Sequence, residues 1–209
     1  MKKCIACCLF TLSLLACTTS QQLAAIPAGS TVVILGDSLS YGKGAARGED
    51  YPSLLAERTD WHIVNAGVPG DTSAQGLARL PELLATHRPT LLMIVLGGND
   101  FLRNINVVET EANIRAIIQV AKLNKVQAIL VAIPNYQPVK AALVGLSDHP
   151  LYAKLAAETN VALVEEVFSE VLSNSALKAD YVHPNAAGYQ MIEAKLHAKL
   201  MALGLFKAQ

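Results

Sequence analysis

Past residue 17 the chain has no cysteine; all four lie at Cys4, Cys7, Cys8 and Cys17. A disulfide framework and a cysteine-based zinc site are therefore excluded from the body of the protein. Charge is also sparse. Only 16% of residues are charged, the two signs balance at 17 each, and no basic stripe is visible, so nucleic acid is not an expected partner. No apolar run is long enough to cross a bilayer as a helix. The strongest, Ile5–Leu15, is interrupted by Thr11 and Ser13 and falls well short of the roughly 20 residues a span requires. Internal repeats and low-complexity tracts are lacking. His62, His87, His149 and His197 have no companion at metal-ligand spacing, so they read as structural or surface residues, and neither a metal nor an organic cofactor is implied. With 209 residues, one α/β domain with a full core is accommodated, and two are not.

What the N-terminus does contain is a positive pair, Lys2 and Lys3, then the apolar run, then Leu14-Leu15-Ala16-Cys17. This order suits a secretory signal. Its last four residues resemble the lipobox of bacterial lipoproteins, where a small residue precedes the cut and the following thiol is acylated. The resemblance implies that residues 1–16 are removed and that Cys17 is lipidated. The mature chain would then carry 15 basic and 17 acidic residues, a formal charge of −2. Two or more acyl chains anchor a protein stably where one does not. Thr18, which is not Asp, implies by the same resemblance the outer membrane of a bacterial envelope, facing the periplasm. Residues 17–30, polar and small, read as a tether, and residues 31–209 as the domain.

From Thr31 the pattern alternates. Thr31–Leu35, His62–Val64, Leu91–Leu96, Ala128–Ile133 and Val161–Val164 are short apolar runs rich in β-branched residues, suited to parallel strands buried on both faces. Ser73–His87 and Thr110–Leu123 carry apolar residues at helical spacing. Ala186–Leu203 reads as a terminal helix, with Asn185 as N-cap and Gly204 as its stop. Strands alternating with helices imply a three-layer α/β/α sandwich, with a flavodoxin-like five-stranded parallel sheet and a ligand site at the C-terminal ends of the strands.

Four segments then stand out. Gly36-Asp37-Ser38-Leu39-Ser40 directly follows the first strand, where an exposed serine is well placed as a nucleophile. Turn chemistry explains the same residues equally well, and the fifth position is not the glycine of a G-x-S-x-G elbow. Asp180-Tyr181-Val182-His183-Pro184 precedes the last helix, and its Asp and His are close enough to hydrogen-bond, although a surface loop accounts for them too. Gly97-Gly98-Asn99-Asp100 follows the LLMIVL strand and offers side-chain N–H donors beside a backbone that can approach a ligand closely, as an oxyanion hole needs. Asn65 to Thr72 follows the second strand, and Gly70 there can present a backbone N–H. Asp37, Asp71 and Asp100 read as loop supports. A parallel sheet would gather three of these segments at one edge, and the Asp–His pair would close over it.

The blocks GDSLS, PGDTS, GGND and DxxH, in this order, resemble the SGNH (GDSL) hydrolases. They look most like the bacterial branch of thioesterase I, arylesterase and lysophospholipase enzymes, over roughly Val32 to Gly188. The resemblance implies a serine esterase acting on acyl esters or thioesters. Ser38 is then the nucleophile, His183 the general base and acid, and Asp180 the residue that orients His183. The oxyanion hole is formed by Ser38, Gly70 and Asn99. Small acyl esters or lysophospholipids are the expected substrates, and a monomer the expected state. Phe101, Leu102, Ile105 and Val107 are candidates for an acyl pocket. From Pro134 to His149 the chain departs from that branch, which bears on chain-length preference. Two other readings use the same residues: a carbohydrate O-acetylesterase acting on envelope glycans, and a binding module without turnover.

Overall fold

The computed structural model describes residues 23–135 and 145–206. Residues 1–16, the lipidation candidate Cys17 and residues 18–22 lie outside the described residues, as does most of the Pro134–His149 departure. Five strands, β1 (Thr31–Gly36), β2 (His62–Gly67), β3 (Leu91–Val95), β4 (Gln127–Val131) and β5 (Ala162–Val164), form one all-parallel sheet in the order β2-β1-β3-β4-β5. The flavodoxin-like topology expected from the alternating pattern is the one observed. Every residue of β3 is buried, as a central strand covered on both faces requires. The edge strand β2 is buried only at Ala66, and its first residue, His62, is exposed.

Helices cover both faces. On one side α3 (Ser73–His87) packs on α5 (Val107–Leu123), which packs on α6 (Leu151–Thr159). On the other, α2 (Tyr51–Arg58) packs on the terminal α8 (Ala186–Ala202), flanked by α7 (Phe168–Ser173). Two short helical turns, α1 (Ser38–Tyr41) and α4 (Gly98–Leu102), sit directly after β1 and β3. The boundaries of α3 coincide with those read from the sequence, because Thr72 and Gln75 close a capping box and Arg88 ends the helix in a left-handed conformation. Asn185 caps α8 by accepting from the Gly188 N–H at 2.9 Å. β4 stops at Val131, two residues short of the apolar run, where the chain turns toward the site.

The tether differs from expectation. Residues 23–30 are not free but form a strap across the base of the sheet, at the N-terminal ends of the strands. Ala24 and the Gln127 side chain exchange hydrogen bonds of 3.1 and 3.0 Å, and Ile26 N–H donates to the Leu205 carbonyl at 2.9 Å. Ile26 is buried in the core, and Trp61 donates to its carbonyl. The reason is physical: Leu23 and Ile26 are apolar and have a hydrophobic surface to cover. Residues 23–30 therefore belong to the folded unit together with the domain expected over residues 31–209.

Candidate active site

The site is built from turns at the C-terminal ends of the strands. β1 ends at Gly36, where a Cβ would lie 2.1 Å from Ser40 Oγ, so only glycine lets α1 fold back this tightly. Asp37 caps α1 by accepting from Leu39 N–H at 2.9 Å, which fixes Ser38 at the first helical position. Ser40 packs underneath, hydrogen-bonded at 2.6 Å to the buried Tyr51 hydroxyl.

After β3, Gly97 adopts φ +119°, and a Cβ there would lie 2.4 Å from the Tyr152 hydroxyl, which itself donates to the Leu96 carbonyl. This turn starts α4 and carries Asn99 to the mouth of the site. One Asn99 Nδ2 donates to Asp37 Oδ2 and to the Asp71 carbonyl, both at 3.0 Å. Both N–H groups that sequence reasoning left for a ligand therefore already have protein acceptors, and both acceptors require nitrogen at that position. The PGDTS turn is held from three sides. Arg103 donates to the Gly70 carbonyl at 2.8 Å, Arg79 pairs with Asp71 at 2.7 Å and reaches the Gly36 carbonyl at 2.9 Å, and buried Asp100 accepts from Ser73 N–H at 2.8 Å. Asp71 and Asp100 are thus loop supports, as read from the sequence.

Asp180 and His183 come from the loop before α8. Ala179 N–H donates to the His183 carbonyl, Asn185 N–H to the Leu177 carbonyl, and the Asn185 side chain to the Ala176 carbonyl. This closes the loop and swings the imidazole over α1. His183 Nε2 lies 3.0 Å from Ser38 Oγ, and His183 Nδ1 lies 2.8 Å from Asp180 Oδ2. Asp180 Oδ1 also accepts the backbone N–H groups of Val182 and His183 at 2.9 and 2.8 Å. With a carboxylate facing Nδ1, the ring proton sits there, and Nε2 is left to accept from the serine hydroxyl.

The two carboxyls nearest the chemistry are tuned in opposite senses. Partial burial pushes Asp180 up, but the Val182 N–H, the His183 ring and the His183 N–H outweigh it and hold Asp180 below the usual carboxylate range. Asp37 is pushed up to about 7 by full burial, against the donors Leu39 and Asn99, with the charges of Asp100 and Asp71 adding to the rise.

A cavity of about 180 Å³ opens over Ser38, His183, Gly70 and Asn99. Of the residues expected to line an acyl pocket, Leu102 does. Phe101 and Ile105 are not among its walls: Phe101 stacks on His149 at 4.3 Å, edge-on to Tyr152, and Ile105 is half-buried beyond the end of α4. Val107 is exposed at the start of α5. The apolar wall comes instead from Ile133, Pro134, Leu146 and Leu172, which sequence reasoning missed because three separate segments bring them together. Lys43 and Tyr181 stand at the rim. Among the described residues no group of three or more His, Cys, Asp or Glu is placed to hold a metal ion.

A family model described as GDSL-like Lipase/Acylhydrolase matches residues 34–191. Thioesterase 1/protease 1/lysophospholipase L1 of Escherichia coli K12 is 38% identical over 164 residues, which cover 76% of this chain and 77% of that protein. Esterase TesA of Pseudomonas aeruginosa is 35% identical over 177 residues, covering 80% and 84%. Among solved structures, the psychrotrophic esterase EstA from Pseudoalteromonas, inhibited by monoethylphosphonate, superposes with a TM-score of 0.72 at 28% identity, covering 83% of this chain and 97% of that one.

Proposed function

The chain belongs to the GDSL-like lipase/acylhydrolase family and is a hydrolase of ester bonds, and from that premise we propose that Ser38, His183 and Asp180 are its catalytic triad, acting on acyl esters and thioesters. The observation that carries this reading is the continuous line from Asp180 through His183 to Ser38 at 2.8 and 3.0 Å. Ser38 Oγ attacks the acyl carbonyl as its proton passes to His183 Nε2. The imidazolium, stabilised by Asp180, then protonates the departing alcohol or thiol. A water molecule attacks the resulting acyl-Ser38 ester and gives its proton to His183, which passes it to the departing Ser38 Oγ, so that the acid is released and the free serine and neutral imidazole are restored. The oxyanion receives the backbone N–H groups of Ser38 and Gly70 and an N–H of Asn99. To reach it, Asn99 turns a donor from the Asp71 carbonyl, an exchange favoured because an anion is the stronger acceptor. The apolar wall of Leu102, Ile133, Pro134, Leu146 and Leu172 suits acyl groups larger than acetyl.

The test is hydrolysis of p-nitrophenyl esters from acetate to palmitate. Ser38→Ala is expected to remove turnover without loss of fold, seen as an unchanged circular dichroism spectrum. Retention of more than a trace of activity would overturn the triad. Activity confined to acetate would favour the O-acetylesterase reading, in which a lysophospholipid is not a substrate.

We also propose that Cys17 is acylated and holds the enzyme on a membrane of the bacterial envelope, the outer membrane being the expected one. Leu14-Leu15-Ala16-Cys17 supports this. Mass spectrometry of the mature N-terminus tests it, and an unmodified or uncleaved N-terminus would exclude it.

A further inference from the structure

The strap at the base bears on which esters an anchored enzyme can reach. It fastens the chain at Ala24 and Ile26, on the N-terminal ends of the strands, while Ser38 and Asn99 stand at the C-terminal ends. In the mature chain proposed above, only Cys17 to Leu23 precede Ala24, the first fastened residue. At ~3.3–3.6 Å per residue they span about 25 Å at most when fully extended. A domain of this size has a radius of gyration of roughly 16 Å and a diameter of about 40 Å. For the site to face the leaflet that holds Cys17, the base would have to ride a full diameter above that leaflet, well beyond the reach of the tether. The surface beside the strap is also suited to lie against lipid. Leu23 and Ala24 share a concave face with Lys122 and Lys125, which puts two cations where the chain leaves the domain, and anionic headgroups attract such cations.

We infer that the base of the domain, around Leu23, Lys122 and Lys125, docks on the anionic lipid surface that holds its own anchor, and that the active site is thereby turned away from that leaflet. The substrates would then be esters presented from outside it, either dissolved or carried on a facing surface, and not acyl lipids resident in the same leaflet. This rests on the acylation of Cys17 proposed above.

The full chain, produced in a bacterium that processes lipoproteins, is reconstituted in vesicles containing phosphatidylglycerol. Because the folded body has no cysteine, single reporters are available as Leu123→Cys at the base and Tyr181→Cys at the site, where the parent side chains are 82% and 83% exposed. Each is labelled with a dye whose emission is quenched by nitroxide lipids. The dye at position 123 is expected to be quenched at least threefold more than the dye at 181. A 20-residue Gly/Ser insertion after Ser20 should remove the difference. It should also raise hydrolysis of a long-chain ester embedded in the same vesicle at least tenfold, with p-nitrophenyl butyrate turnover unchanged. Equal quenching at both positions, or equal same-vesicle rates with and without the insertion, overturns the orientation while leaving the anchor intact. Mass spectra lacking acyl chains on Cys17 overturn the anchor reading and the orientation with it, and leave the triad reading standing on the butyrate assay.

Discussion

The two halves of the site solve the same problem by different means. The oxyanion half, from Gly36 to Asn113, is a buried web: Asp37, Asp71, Ser73 and Asp100 are all buried and each accepts or donates several hydrogen bonds. The acid–base half is a surface loop. Its Asp180 side chain is 47% exposed and its neighbour Tyr181 is 83% exposed. The comparison teaches that exposure follows the charge each half must carry. In the proposed mechanism Asp180 has to remain ionised beside an imidazole that becomes a cation, and solvent helps it do so. The turns that carry the proposed oxyanion donors are held by buried hydrogen bonds, so that the Asn99 amide is what has to turn as charge develops. Substituting the matching carboxyl in each half is the direct way to break the comparison.

Asp180→Asn should have the larger effect. The backbone N–H groups of Val182 and His183 both point at Asp180 Oδ1, so an asparagine keeps its carbonyl oxygen there and puts its NH₂ in place of Oδ2, facing His183 Nδ1. Nδ1 then meets a donor at the nearer of its two contacts and keeps an acceptor only at the longer one, 2.8 against 2.9 Å; this favours the ring proton on Nε2, where the ring no longer accepts from Ser38. Turnover is expected to fall ~10⁴-fold, the size of the same exchange in another triad. Because the residue is exposed, the urea midpoint should stay close to that of the parent. A loss under tenfold would show that Asp180 does not set the tautomer.

Asn99→Ala tests the buried half. It removes the proposed side-chain oxyanion donor and leaves the Asp71 carbonyl and Asp37 Oδ2 without their shared partner. A fall in kcat of ~10²–10³-fold is expected, with KM for p-nitrophenyl butyrate nearly unchanged, because the donor acts on charge that exists only in the transition state. An effect confined to KM would assign Asn99 to ground-state binding.

Much of this arrangement was legible in the sequence, and the remainder was hidden for physical reasons. β1, β3 and the turns after them are local: an apolar run, a glycine and a polar residue follow in order, and strand polarity carries Ser38 and Asn99 to one edge. The Asp180–His183 pair is also local, closed within four residues. The pocket wall is not, since Ile133, Leu146 and Leu172 belong to three segments whose local patterns say only that each is apolar. The α2 helix escaped notice because its buried residues, Tyr51, Pro52 and Leu55, are few, and its start is set by Asp50 accepting from Ser53 N–H. Arg79 lies in a helix whose periodicity marks it as polar, and nothing in that spacing tells that it reaches the Gly36 carbonyl. The strap was misread because small and polar residues outnumber Leu23 and Ile26 in the stretch, yet burial of those two decides its conformation.

Asp37→Asn sharpens the contrast with Asp180, and its effect on turnover should be the smallest. Leu39 N–H points at Oδ1, so an asparagine here places NH₂ against the Asn99 amide. As long as Asn99 keeps its present rotamer against the Asp71 carbonyl it still has an N–H to offer the oxyanion, so kcat should fall by less than in Asn99→Ala. Stability should move the other way, and it should do so with pH. Burial raises the Asp37 pKa to about 7 in the folded chain, against about 3.9 in the unfolded one. The folded state therefore binds the proton more tightly. Its advantage is complete below pH ~4 and is lost as pH rises through 7, leaving a cost of burying the ionised carboxyl that approaches about 4 kcal/mol as an upper bound. Asparagine carries no such charge. The urea midpoint of Asp37→Asn relative to the parent should climb between pH 4 and pH 8 and level off above it. For Asp180→Asn, where the carboxyl is held below its usual range, stability relative to the parent should not climb over that interval. A constant gap for Asp37→Asn across the interval would mean that Asp37 is ionised throughout, and that the oxyanion web, like the Asp180 loop, is organised around a charged carboxylate.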